Sequence, residues 1–87
     1  MSIFNLFHSL FDSNVPRIYF IDRDTLFYKK RGKSFTCSME FTSDGIDLIF
    51  GEISRWEDGS EMSNVDRSMI KIDIEKSLPN SWNIGWR

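Results

Sequence analysis

Residues 53–78 read ISRWEDGSEMSNVDRSMIKIDIEKSL, and the fold turns on how the second half of that stretch is taken. Residues 69–75, M-I-K-I-D-I-E, alternate apolar and polar as a half-buried strand does. Three features favour a helix instead, over residues 64–78. Ser63 followed by Asp66 has the spacing of a capping box, in which each residue bonds the other's backbone N–H. Ile70, Ile74 and Leu78 recur every fourth residue and so share one helical row. Pro79 stands where a helix has to stop. Ahead of the helix, residues 53–56 read as the end of a strand, and Glu57-Asp58-Gly59 as an acidic turn beneath Trp56.

Working outward toward the N-terminus, residues 46–50 alternate through Ile46, Leu48 and Phe50. The Asp44-Gly45 pair before them has hairpin chemistry. Residues 34–41 place Phe35, Cys37, Met39 and Phe41 on one side and polar residues on the other. Residues 25–30 and 17–21 are further strands, rich in β-branched and aromatic side chains. Residues 29–33 form a basic hairpin tip around Gly32. Residues 2–12, SIFNLFHSLFD, form a short amphipathic helix that ends before Pro16. The tail, with Trp82, Ile84 and Trp86 in alternation, reads as a last edge strand or as an exposed aromatic arm.

Short turns favour antiparallel neighbours. The expected fold is α+β: an antiparallel β-sheet meander of about five strands packed against a C-terminal α-helix, with a short N-terminal helix. All of it lies in one domain, residues 1–87. The 64–78 helix carries a second apolar row, Val65, Met69 and Ile72, almost opposite the first. That row needs cover, either from the N-terminal helix or from another protein.

An 87-residue chain has room for one domain, and its core must be efficient. Eight Phe, three Trp and two Tyr supply that core with large side chains. Net charge is −2, which gives no strong bias toward nucleic acid. The charge is uneven, though: residues 1–43 carry six Lys/Arg against four Asp/Glu, and residues 44–87 five against nine. Cys37 is alone, so no intramolecular disulfide forms and a reducing compartment is expected. With no secretory leader and no apolar run of transmembrane length, the expected location is the cytoplasm.

No catalytic kit emerges. Arg31-Gly32-Lys33-Ser34 looks like the end of a phosphate-binding loop, but the earlier glycine is Phe27 and a strand follows where a helix is required. His8, Ser9 and Asp12 have triad chemistry, yet neighbours on a helix do not face one another. One His and one Cys cannot make a zinc site, and the paired aspartates lack calcium-loop spacing. No metal, cofactor or enzymatic activity is expected.

Gly32-Lys33-Ser34-Phe35 opening a strand, Ile53-x-x-Trp56-x-Asp58-Gly59 at the turn, then Ser63 with Ile70, Ile74 and Leu78 at helical spacing, form a pattern over residues 32–78. It resembles a small bacterial immunity-protein family of polymorphic-toxin and contact-dependent growth inhibition systems. The resemblance implies binding, with a cognate toxin domain, commonly a nuclease, neutralised in the cytoplasm by blocking its active site. An acidic surface suits a basic nuclease cleft. The acidic half of this chain supplies Asp44, Asp47, Glu52, Glu57, Asp58 and Glu61 as partner-binding candidates, with Trp82 and Trp86 as apolar anchors. Two alternatives stand beside it. One is a single-stranded nucleic-acid module using hairpin residues 29–35, where Phe27, Tyr28 and Phe35 would stack on bases. The other is an adaptor subunit docking by its N-terminal helix and Trp tail.

Overall fold

The computed structural model describes residues 14–87. Arg17–Asp22 (β1), Thr25–Lys30 (β2), Lys33–Phe41 (β3) and Gly45–Ile49 (β4) pair antiparallel in chain order. The turns explain why. Asp22 Oδ1 accepts the Asp24 amide at 2.8 Å and closes β1 to β2. Arg31 and Gly32, with φ of 54° and 77°, form the two-residue loop joining β2 to β3. Positive φ at both central positions matches the twist of a tight hairpin.

Asn64–Ser77 is helical (α1), as the capping and row arguments predict. The Asp66 amide donates to Ser63 Oγ and the Ser63 amide to Asp66 Oδ2, each at 3.0 Å, a complete capping box. Ile70 and Ile74 are buried against the sheet. They share one core cluster with Leu26, Tyr28, Phe35, Cys37, Met39, Ile46 and Leu48, the inward residues of β2, β3 and β4. The second apolar row turns the other way: Val65 is 78% and Ile72 51% exposed. The short N-terminal helix expected over residues 2–12 lies outside the described residues, and so does its role as cover for that row.

Three expectations are corrected. The sheet is mixed, not an antiparallel meander throughout. Its fifth strand is the tail, Asn83–Trp86 (β5), and it runs parallel to β4. Residues 53–56 do not extend the sheet and contribute one isolated bridge, Arg55 to Glu61. The helix is therefore not C-terminal. It lies in the connection between β4 and β5, because parallel neighbours need a long crossover. Glycine permits the last pairing: a Cβ on Gly45 would collide with the backbone of Asn83. β5 is also held end to end. Asn83 N donates to Asp44 O at 2.9 Å, Arg87 N to Leu48 O at 2.8 Å, and Phe50 N to Arg87 O at 2.7 Å.

Candidate partner-binding surface

Residues 32–35 and 53–60 are separate in sequence and meet in space. The loop between β4 and α1 folds back over the β2–β3 hairpin. Trp56, 4% exposed, packs edge-on to Phe35 at 5.9 Å and against Tyr28 at 6.1 Å. The Glu57 amide donates to Ser34 O at 2.8 Å. Lys33 Nζ donates to Ser60 Oγ at 2.7 Å and lies 4.0 Å from the Asp58 carboxylate. Gly59, at φ 86°, donates to Trp56 O and closes the turn.

Asp58 is held by its own loop. Its Oδ1 accepts from the Ser60 hydroxyl at 2.6 Å and the Ser60 amide at 2.9 Å, and these bonds keep its carboxyl below the usual carboxylate value. Asp66 is lowered too, chiefly by the Ser63 amide. The Trp56 indole N–H adds to that effect, although it makes no hydrogen bond of normal geometry. Glu61 is 3.8 Å from Arg55. Glu52 and Glu57 differ from these neighbours, since no ion pair engages either among the described residues. Both are exposed, and both line an open groove of about 370 Å³ behind which Phe35 and Trp56 are buried in the core. Arg55 shares that groove, with its guanidinium on Gly59 O at 2.9 Å.

The remaining candidates lie elsewhere. Asp44 stands at the opposite end of β4, where Asn83 and Thr42 hydrogen bonds lower its carboxyl. Trp82 is half-buried nearby, edge-on to Phe41 at 6.2 Å. Asp47 faces Arg87 at 3.6 Å, and Arg87 also meets Glu40 at 3.1 Å. Trp86 packs edge-on to Phe50 at 5.6 Å with Lys71 Nζ 5.5 Å from its ring, so it closes the edge of the core. The eight candidates thus separate into a loop group (Glu52, Glu57, Asp58, Glu61), a turn group (Asp44, Trp82) and two residues engaged within the sheet.

Several supporting residues were missing from the sequence reading. Arg67 is the pin of the loop. Its guanidinium donates to Ile53 O and, at 3.2 Å, to Phe50 O, and it lies 4.3 Å from the Phe50 ring centroid. Asp73 Oδ2 receives the Tyr28 hydroxyl at 2.7 Å and Lys30 Nζ at 3.1 Å, with the lysine and aspartate side chains nearly buried. Burial first and Asp73 second push the Tyr28 hydroxyl well above its ordinary value. The only sequence signal was an acid beside Ile70 and Ile74 on a helix needing contact with the sheet.

The basic hairpin is similarly engaged. Lys30 bonds Asp73, Lys33 bonds Ser60, and Arg31 Nε donates to Asn14 Oδ1 at 2.7 Å. Tyr28 and Phe35 are core residues, not presented for base stacking. Among the described residues no cluster of three or more His, Cys, Asp or Glu has the arrangement to hold a metal, and no helix is long and apolar enough to cross a membrane. Comparison of the chain with protein-family models, with characterised proteins and with solved structures finds no match.

Proposed function

We propose that this chain is a protein-binding domain that neutralises a cognate bacterial toxin domain, most simply a nuclease, by covering its active site in the cytoplasm. The observation that carries the reading is the loop group. Glu52 and Glu57 are exposed, have no ion-pair partner among the described residues, and line one open groove. Two carboxylates at one open groove suit a lysine or arginine from a basic cleft, with the cation drawn to the pair. The same loop is built from the residues that resemble the immunity family. Asp58 and Glu61 extend the negative field but are partly offset by Lys33 and Arg55. Their contribution is to steering more than to held contacts.

The test is growth rescue. The chain is co-expressed with the toxin domain encoded beside it, and as a Glu52→Lys/Glu57→Lys variant. Rescue by the native chain and its loss in a variant that still folds is the expected result. Equal rescue by both removes the loop from the function, and no rescue by either removes the toxin-neutralising reading.

A further inference from the structure

β1 is an edge strand. It bonds β2 on one side and no described strand on the other. Edge strands discourage pairing with charge, proline, bulges or brevity. β1 has a bulge at Ile21 and a charge at each end, so only a strand that matches those charges and that register can add to it. β5, the opposite edge, is only four residues long and contains Gly85. β1 has six residues, and Tyr19 and Ile21 are 55% and 53% exposed.

Its two faces follow from the register. Ile18 pairs with Tyr28 and Phe20 with Leu26, which places both on the core side. Arg17 and Tyr19 alternate with them and project outward. The register shifts between Phe20 and Asp22, leaving Ile21 as an extra residue. Asp22 therefore pairs with Thr25, which pairs with the outward Ser38. The outer face reads Arg17, Tyr19, Asp22: cation, aromatic, anion. Arg17 sits across from Lys29, a like charge, and has no carboxylate partner among the described residues.

That order is complementary to its own reverse. We infer that β1 pairs antiparallel with β1 of a second copy about a twofold axis through Tyr19, making one continuous ten-stranded sheet. The pairing sets Arg17 of each copy opposite Asp22 of the other, Ile18 opposite Phe20 on the core side, and the two Tyr19 rings side by side. No like charges face each other across it. It is an isologous contact that closes, so assembly stops at the dimer. This surface is independent of the loop group and of any toxin.

The test uses the full chain in sedimentation velocity over a concentration series. The expected species has twice the 10.3 kDa chain mass. Arg17→Asp or Asp22→Arg alone places like charges opposite at two symmetric positions and weakens the dimer about tenfold. The double swap restores it, with the fold of each variant checked by far-UV circular dichroism. Tyr19→Cys lies on the axis, where facing Cα atoms are about 4.5–5.5 Å apart, within disulfide reach. It is expected to form a covalent dimer on mild oxidation, while Thr36→Cys on the central strand does not. A chain monomeric throughout, a dimer indifferent to the single reversals, failure of the swap to restore it, or equal crosslinking at residues 19 and 36 overturns the inference.

Discussion

Asp73 shows how one side chain can set the position of a helix. Ile70 and Ile74 give α1 its grip on the sheet, but apolar contact is non-directional. The Tyr28 hydroxyl and Lys30 ammonium converging on Asp73 Oδ2 supply the direction. Removing one partner of a nearly buried pair leaves the other without its counter-charge, the costliest kind of deletion. Asp73→Ala is expected to lower unfolding free energy by about 3 kcal/mol in urea denaturation. Tyr28→Phe, which leaves the ion pair intact, should cost about 1 kcal/mol. Equal costs would mean that the charge pair contributes nothing beyond the hydroxyl. Acid titration probes a second set of residues. Asp44, Asp58 and Asp66 all lie below the ordinary 3.8 because hydrogen bonds favour their ionised forms. The folded state therefore binds fewer protons than the unfolded chain around that pH. Their stabilisation is complete above 3.8 and disappears as pH falls through the lowered values. Asp66→Asn, which also loses the carboxylate at the helix N-terminus, should flatten that acid limb of a stability-against-pH curve. An unchanged limb would exclude the capping box as a source.

The elements were legible in the sequence to different degrees. Of the four antiparallel strands, β3 and β4 announced themselves through two-residue alternation, β1 and β2 through β-branched and aromatic content, and Gly- or Asp-containing turns separated them, all local signals. The helix was legible because Ser63, Asp66 and Pro79 resolved an ambiguous alternation. The tail was not placed, since parallel pairing is a long-range property with no signature of its own in four residues. What betrays it in the structure is Gly45, whose missing side chain admits the Asn83 backbone. Gly45→Ala is expected to push β5 off β4 and cost about 1–3 kcal/mol, as overpacking does. Near-native stability with unchanged Trp82 and Trp86 fluorescence would show that β5 is held without close approach. Of the proposed partner surface, the sequence carries only the charges. Charge counting found the acids, but not their separation along β4, nor which of them Lys33, Arg55 and Arg87 already occupy.

Across the whole molecule, the sheet and α1 serve as a rigid frame, and the β4–α1 loop is its most elaborated part. Arg67 pins the loop's beginning, Trp56 anchors its middle in the core, and Ser63 passes it into the helix. A loop held at three points presents Glu52 and Glu57 in fixed positions, which lowers the ordering cost of recognition. Binding of a basic protein should then depend on those two carboxylates more than on Asp44, held by Asn83 in its turn, or Asp47, paired with Arg87. The most direct measurement is the association rate constant with a toxin domain of the proposed kind, a basic nuclease encoded beside this chain, at low and high salt, for the native chain, Glu52→Lys/Glu57→Lys and Asp44→Lys. The account predicts fast, salt-sensitive association, slowed about tenfold or more by the double change and little by Asp44→Lys. Absence of binding, or a rate indifferent to both salt and the Glu52/Glu57 reversal, would contradict it.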